Sequence, residues 1–117
     1  MVLVVDDDDG VVGTLRVWLK KRGFEVVSCR DGQEAYRYLK KKKCKCMILD
    51  INMPNISGIE LLILMQAEGI KVPTIVMAGF DDFDEAEMKN FANVVRFFKK
   101  PFDMKEMMST VDKCTAG

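Results

Sequence analysis

Acidic residues follow two apolar segments of this chain, and their number suggests metal-assisted chemistry. Residues 6–9 are four consecutive aspartates after an apolar tetrad, and Asp50 follows a second apolar tetrad that begins at Cys46. Carboxylates close together repel: at an effective dielectric constant near 20, a pair at 4 Å costs about 4 kcal/mol. Such a cluster needs a cation. Oxygen ligands suit a hard ion such as Mg²⁺, which keeps waters and leaves room for a phosphate oxygen.

A lysine that follows another apolar segment completes the set. Lys100 comes two residues after the apolar segment 94–98 and can act as a flexible point charge beside an anion. A metal ion and a lysine around one carboxylate would stabilise phosphoryl transfer onto that carboxylate. An acidic run can also simply begin a helix, because acids favour the positive end of the helix dipole. That alternative does not account for Asp50 or Lys100.

Short apolar runs alternate with helical patterns along the whole chain, and together they would position these side chains. The predicted strands are residues 2–5, 25–29, 46–49, 74–77 and 94–98. The predicted helices are residues 8–22, 31–39, 57–68, about 84–92 and 103–114. Alternating strands and helices predict an α/β fold, a three-layer αβα sandwich with a parallel sheet. Ligands of such sheets bind at the carboxyl ends of the strands, where the aspartates and the lysine fall.

Local signals set the expected ends of the helices. Gly23 and Gly69 would end the first and third helices, and Asn93 could adopt a left-handed conformation after the fourth. Three capping boxes are predicted, each with a side chain at the helix start and a glutamate three residues later. They are Asp31 with Glu34, Ser57 with Glu60, and Asp103 with Glu106.

Length and composition favour one ordinary globular domain spanning residues 1–117. The chain is 49% hydrophobic and 31% charged, and its 18 basic and 18 acidic residues give a formal net charge of zero. Nothing global therefore attracts nucleic acid or a membrane, and neither is expected as a direct partner. No apolar stretch is long enough for a membrane span, and no basic segment precedes the first apolar run. We therefore expect a cytoplasmic location.

The cysteines and one lysine run admit plain structural interpretations. The four cysteines have no CxxC spacing and no histidine beside them, which does not fit a zinc site. They are expected to be reduced, small apolar residues, and nothing supports a redox role for Cys44 or Cys46. Lysines at 40–43 and 45 would form a solvated helix end, with a docking patch for an acidic partner as the alternative.

Four short motifs lie along the chain: residues 4–7 (VVDD), 48–54 (ILDINMP), 57–61 (SGIEL) and 100–102 (KPF). In order and spacing they resemble the receiver domain of two-component response regulators. The likeness covers nearly the whole chain, and the DxxMP and KPF signatures together are specific. It implies one receiver domain with a five-stranded parallel sheet in order 2-1-3-4-5 and five helices.

The resemblance also implies a role for each matching residue. Asp50 would accept a phosphoryl group from the phosphohistidine of a sensor histidine kinase or phosphotransfer protein. Asp7 and Asp50 would bind Mg²⁺ directly, Asp6 largely through water, and Asn52 through its backbone carbonyl. Lys100 would pair with the phosphoryl oxygens.

Three further expectations come from the same likeness. The peptide bond between Lys100 and Pro101 would be cis. The domain would be a phosphoprotein that assists only its own phosphorylation and dephosphorylation, and would not otherwise be an enzyme. A downstream effector would bind the face formed by the fourth helix, fifth strand and fifth helix.

One departure from the family concerns the switch. The family usually carries Thr or Ser at the end of the fourth strand, where Ala78 stands, and Phe97 takes the place of the switch aromatic. Losing that hydroxyl removes a hydrogen bond to a charged group worth about 1.5–3 kcal/mol. The backbone N–H of Gly79 could still contact the phosphate. Our hypothesis is that Asp50 is phosphorylated but biases the switch weakly. The alternative is an interaction module on the same fold that works without phosphorylation.

Other departures concern hydrolysis, output and reaction class. Phe80 could obstruct the water that hydrolyses the phosphate, or could only pack locally. Val95 and Arg96 stand where an acidic pair often precedes the switch aromatic, which argues against the pairing of winged-helix regulator dimers. The methionines of the last helix are expected in the core. A phosphatase with an acidic cluster would need an aspartate where Asn52 stands, so this third interpretation is disfavoured.

Overall fold

The computed structural model of this protein describes residues 1–53, 55–79 and 85–116. Two predictions fall outside these ranges: the position of Phe80, and the start of the fourth helix at Asp84. Everything below concerns the described part of the chain.

Five parallel strands form one sheet in the order β2-β1-β3-β4-β5, as predicted. They are β1 Val2–Val5, β2 Val26–Cys29, β3 Cys46–Asp50, β4 Thr74–Ala78 and β5 Val94–Lys99. Every residue of β1, β3 and β4 is buried, because these strands have neighbours on both sides and helices on both faces. A register shift between Thr74 and Ile75 leaves Val95 without a partner in β4, and its side chain is 51% exposed.

Four helices of 10 to 13 residues cover the sheet. They are α1 Asp9–Lys21, α2 Gly32–Lys41, α3 Gly58–Glu68 and α5 Met104–Thr115. In the part of the chain that the structure describes, α4 covers Glu85–Met88. Gly23 and Gly69 end their helices with positive φ angles of 87° and 68°, as predicted.

The prediction of a fifth full helix, extending to residue 92, is wrong. After Met88 the backbone continues through tight turns, in which Phe91 N–H donates to the Met88 carbonyl and Val94 N–H to the Phe91 carbonyl, both at 3.1 Å. These bonds span three residues rather than four, so they close turns and do not extend an α-helix. Asn93 does not take the left-handed conformation; its side chain instead donates to the Ile70 carbonyl at 2.8 Å.

One of the three predicted capping boxes is complete. Ser57 Oγ accepts from Glu60 N–H at 3.2 Å, and Glu60 Oε1 accepts from Ser57 N–H at 3.2 Å. These two bonds fix the start of α3, the helix that follows Asp50 in the chain.

The other two predicted boxes are half formed. Asp31 accepts from Glu34 N–H at 2.8 Å, but the Glu34 carboxylate is 3.4 Å from Arg30 N instead of returning to Asp31. Asp103 caps α5, while the Glu106 side chain bonds to a guanidinium of β5. In both cases the glutamate accepts a hydrogen bond from an arginine residue instead of from the backbone of the N-cap residue.

Apolar side chains form a core on each face of the sheet. One core joins β1, β3 and β4 to α2 and α3, and it contains Leu49, Leu61 and Met65. The other packs α1 and α5 against the opposite face, through Leu15, Leu19 and Met108. The methionines Met107 and Met108 are fully buried, which confirms the core interpretation for these two residues of the last helix.

Aspartates and lysines are unevenly distributed between the two ends of the strands. The aspartates at residues 6–9, 31, 50 and 103 lie where strands end and helices begin. Exposed lysines lie at the opposite edge, where helices end and strands begin: Lys20, Lys21, Lys41, Lys42, Lys43, Lys45, Lys71 and Lys113. Two ion pairs of this edge are Arg22 with Asp112 and Lys40 with Glu68. The lysines at 40–43 and 45 are all exposed, and docking of an acidic partner there stays a prediction.

Two further expectations concern the state of the cysteines and the presence of membrane-spanning helices. The four cysteines are free, and burial raises the pKa of Cys29 to about 12 and of Cys44 to about 11. These thiols are therefore protonated near neutral pH, which fits small apolar residues. No helix in the described ranges has the length and apolar content needed to cross a membrane.

Candidate functional site

The end of β3 places Asp50 beside the residues that follow β1. Val5 is the register partner of Leu49, so Asp6 and Asp50 leave adjacent strands at the same level. One carboxylate oxygen from each of Asp6, Asp7 and Asp50 lies within 4.8 Å of the others. Asp6 is 1% exposed and Asp50 is 5% exposed, whereas Asp7 faces solvent. Two buried acids and one exposed acid thus converge as the sequence predicts.

Lys100 reaches the same point from the end of β5. Its Nζ lies 3.0 Å from Asp6 Oδ2 and 3.6 Å from Asp50 Oδ2. Its backbone N–H donates to the Ala78 carbonyl at 2.7 Å, and its bond to Pro101 is cis, as expected. A single ammonium group therefore faces two buried carboxylates.

Asp6 is held more firmly than the other acids. Its Oδ1 accepts from the backbone N–H of Asp8 at 2.9 Å, while Oδ2 accepts from Lys100. Asp8 is the N-cap of α1, with its side chain accepting from Gly10 and Val11. Of the four consecutive aspartates, the first two lie in the carboxylate cluster and the third caps the helix. The fourth, Asp9, forms an exposed ion pair with Arg30 at 2.6 Å.

Burial and charge repulsion act together on Asp50. Its pKa is raised to about 7, first because burial penalises the charged form and second because Asp6 is negative; the charge of Lys100 opposes both effects. Burial alone would lower the pKa of Lys100, but its bond to Asp6 and the two negative charges raise it. One lysine thus leaves the Asp50 charge incompletely balanced.

The cluster fits a hard cation. Its donors are all carboxylate oxygens, and the pKa of Asp50 is raised first by burial and then by the negative charge of Asp6. Oxygen donors close to solvent suit an ion that retains part of its water shell. Asp6, Asp7 and Asp50 are the residues in the described ranges that could hold it.

Asn52 and Gly79, the two residues predicted to contact the metal and the phosphate through their backbone, both lie in loops that follow strands of the site. Asn52 lies in the loop after β3, with its backbone N–H 3.4 Å from Asp50 Oδ1. Gly79 directly follows β4 and is half-buried. The metal contact of the Asn52 carbonyl and the phosphate contact of Gly79 N–H remain predictions.

The predicted switch residues, Ala78 and Phe97, lie on the neighbouring strands β4 and β5. Ala78 is the last residue of β4, fully buried, and its register partner is Lys99. Phe97 pairs with Val76 and packs, half-buried, on the core that contains Met88. Their positions agree with the predicted alignment, but their roles in switching remain predictions.

Sequence reasoning missed the contribution of Gly58 to this site. A Cβ on Gly58 would lie 2.7 Å from the Asp50 carbonyl oxygen and 2.7 Å from Ile51 Cα, closer than real contacts allow. Gly58 N–H also donates to the Ile51 carbonyl at 2.8 Å. The start of α3 therefore lies directly against the backbone that carries Asp50. A glycine immediately after a helix cap was the available signal.

The fold and the site together define a class of protein. This is a doubly wound α/β domain whose carboxylates lie at the point where the strand order reverses, between β1 and β3. The family of the response regulator receiver domain matches residues 2–112, and the chain belongs to this family.

Curated relatives agree with that assignment. The chain is 34% identical to the transcriptional regulatory protein PrrA of Mycobacterium tuberculosis over 110 residues, which are 94% of this chain and 47% of PrrA. It is 33% identical over 112 residues to the regulatory protein VanRB of Enterococcus faecalis, covering 95% of this chain and 50% of that protein. The chain spans about half the length of these relatives.

Solved structures share the architecture. A response regulator receiver protein from Pseudomonas putida superposes with a TM-score of 0.83 at 34% identity, covering 96% of this chain and 94% of that one. The receiver domain of Francisella response regulator 1452 gives a TM-score of 0.89 at 23% identity, covering 98% and 95% of the two chains, and shows the fold alone. Both curated relatives described above are named as regulatory proteins.

Proposed function

We propose that this chain is the phosphoacceptor domain of a two-component system and that Asp50 takes a phosphoryl group from a partner phosphohistidine. The observation that carries the proposal is the placement of Asp50, buried beside two other aspartates with the Lys100 ammonium 3.6 Å away. Residues 1–117 would act as one receiver domain in the cytoplasm, receiving the group from a sensor histidine kinase or a phosphotransfer protein.

The transfer needs an ionised Asp50 as the nucleophile. An Asp50 carboxylate oxygen attacks phosphorus, the P–N bond breaks, and the electron pair leaves with the imidazole nitrogen, which then takes a proton. Asp7, Asp50 and the Asn52 carbonyl would hold a Mg²⁺ ion, with Asp6 acting largely through water. The ion would neutralise charge on the phosphoryl oxygens. Its positive charge would also lower the pKa of Asp50 and keep that carboxylate ionised near neutral pH.

Lys100 and the end of β4 would hold the product. Lys100 Nζ, now 3.0 Å from Asp6, has three donors and can turn to a phosphoryl oxygen while remaining near Asp6. Gly79 N–H would donate to a second oxygen. Ala78 supplies no hydroxyl for a third bond, so the phosphate would hold β4 and its following loop less tightly.

The rest of the proposal follows the family. The domain would catalyse nothing beyond its own phosphorylation and dephosphorylation, and an effector would bind the face made by α4, β5 and α5. Transcriptional regulators such as PrrA match this chain over about half of their own length.

Incubation with a small-molecule phosphodonor and Mg²⁺, followed by intact mass measurement, tests the acceptor. The parent chain should gain one phosphoryl group and Asp50→Ala none. Asp9→Asn, which removes an exposed aspartate of the same run, should be labelled like the parent. A parent chain that gains no group in the presence of Mg²⁺ would contradict the proposal, as would labelling that persists in Asp50→Ala.

Ala78 favours one second candidate, an interaction module that works without phosphorylation. Its buried methyl group lies at the end of β4 and offers no hydrogen bond to a phosphate. The affinity of the chain for its partner distinguishes the two functions. Adding a phosphodonor with Mg²⁺ should change this affinity if the chain is a phosphorylation-dependent receiver, and should leave it unchanged if the chain is the second candidate.

A further inference from the structure

We infer that Asp31 and Gly32, which offer no ligand to the acidic cluster, position the loop after β3 that leads from Asp50 to α3. This inference rests on the proposed function, because the same loop carries Asn52, whose carbonyl is the predicted metal ligand. Asp31, Gly32, Asn55 and Ile56 are called the latch below.

Two hydrogen bonds join the start of α2 to the loop. Asn55 Nδ2 donates to Asp31 Oδ2 at 2.9 Å, and Gly32 N–H donates to the Ile56 carbonyl at 3.1 Å. One bond comes from a side chain and the other from the backbone of the adjacent residue, so together they fix both the position and the orientation of the loop.

Asp31 serves the helix and the loop at once. Its Oδ1 accepts from Glu34 N–H at 2.8 Å, which caps α2, while Oδ2 remains directed at Asn55. The Glu34 bond and the Asn55 bond both lower the pKa of Asp31, which keeps it an anionic acceptor. Because α2 is anchored in the core through Ala35 and Leu39, the loop is tied to a rigid element.

Gly32 permits an approach that no other residue would allow. A Cβ there would lie 2.1 Å from the Ile56 carbonyl oxygen and 2.8 Å from its carbon. These are backbone atoms, so they cannot turn aside as a flexible side chain could. The glycine is therefore explained by the proximity of the loop, not by an unusual φ angle of its own.

Asn55 meets the conformational demand of its own position. Its φ angle is 63°, the one positive value for a non-glycine residue in the described ranges. Asparagine and aspartate tolerate this left-handed conformation better than other side chains. Asn55→Asp therefore keeps the backbone acceptable while it replaces the donor by a second carboxylate facing Asp31.

A charge-swapped pair tests the latch in the full chain. Asn55→Asp should weaken Mg²⁺ binding at least about five-fold, the effect of losing one hydrogen bond, as measured by titration calorimetry. Combining Asn55→Asp with Asp31→Asn restores a donor opposite an acceptor, and should recover most of the affinity. Asn93→Ala, which removes a 2.8 Å side-chain bond at the opposite edge of the sheet, should leave it unchanged.

Amide hydrogen exchange without metal provides the independent readout. Asn55→Asp should speed exchange at Gly32 N–H, and the double variant should slow it again. The inference is overturned if exchange is unaffected, or if it quickens while Mg²⁺ affinity stays within two-fold of the parent. If the parent chain binds no Mg²⁺ and gains no phosphoryl group, the proposed function fails instead, and the exchange comparison alone decides whether the latch orders the loop.

Discussion

At Asp50, burial and the neighbouring Asp6 act in the same direction, and this produces a measurable dependence of stability on pH. The pKa of Asp50 is raised from an ordinary value to about 7 in the folded chain. Between about pH 4 and pH 7 the folded state therefore holds a proton that the unfolded state has lost. The contribution of Asp50 to the free energy of unfolding must fall as pH rises through this window.

We expect Asp50→Asn to remove that fall. In urea denaturation without divalent metal, the parent chain should lose on the order of 2–4 kcal/mol relative to Asp50→Asn between pH 4 and pH 8. Asp9→Asn, at an exposed position, should follow the parent. Parallel pH profiles for the parent and Asp50→Asn would show that the Asp50 charge is balanced without metal.

Ala78 yields a prediction about signalling strength. A phosphate mimic should change the amide chemical shift of Phe97 only slightly in the parent chain, because no hydroxyl draws β4 inward. Ala78→Ser should enlarge the change, since its hydroxyl can donate to the mimic at a cost of one added buried atom. Ala35→Ser, at a buried alanine of α2, is the matched control. A full-size response in the parent would refute the hypothesis of a weak switch.

Among the elements, α3 begins directly against the backbone at the end of β3. Gly58→Ala should destabilise the fold by about 1–3 kcal/mol, because its Cβ would meet the Asp50 carbonyl at 2.7 Å and the helix must shift. Gly13→Ala provides the matched control: Gly13 lies within α1 with open space around it, so alanine should stabilise by about 0.5–1 kcal/mol. Thermal and urea denaturation measure both, and equal effects would contradict the close packing.

An element could be predicted when residues within its own segment determine it, and not when a contact with another part of the chain does. The strands were found because buried parallel strands read as apolar runs, and observed ends differ from predicted ones by one residue or none. The fourth helix failed because Asn90 stands where an apolar residue would be needed, so the segment after Met88 forms turns. Two capping boxes are incomplete because the glutamate of each accepts a hydrogen bond from a residue other than the N-cap: Glu34 from Arg30 and Glu106 from Arg96.

The site was predictable to the extent that topology alone assembles it. Asp6, Asp50 and Lys100 follow strands that end at one edge, so their convergence needed no knowledge of side-chain geometry. The latch depends on a contact between α2 and a loop 24 residues away, as with Asp31 and Asn55. No periodic pattern in the sequence encodes such a contact. The available signal was Gly32, because a glycine at the start of a helix is compatible with close approach of another backbone segment, here that of Ile56.

For the molecule as a whole, metal binding should couple to folding. We expect Mg²⁺ to raise the melting temperature more at pH 8 than at pH 5.5, because below its raised pKa Asp50 holds a proton that the cation must displace. Differential scanning calorimetry with and without Mg²⁺ at both pH values measures this, and Asp50→Asn should weaken the effect at pH 8. A larger Mg²⁺ shift at pH 5.5 than at pH 8 would contradict the assignment of Asp50 as a ligand.

The uneven distribution of lysines and aspartates gives this chain of zero formal net charge an electric dipole along the strand direction. A molecule with 18 positive and 18 negative side chains has no net force on it in a uniform field, but segregated charges produce a torque. Near a positively charged surface it would turn its acidic edge toward the surface, and near a negative one its lysine edge. At neutral pH it should therefore be retained by both anion and cation exchangers at low salt. An approaching cationic partner would meet the molecule already oriented with Asp50 toward it.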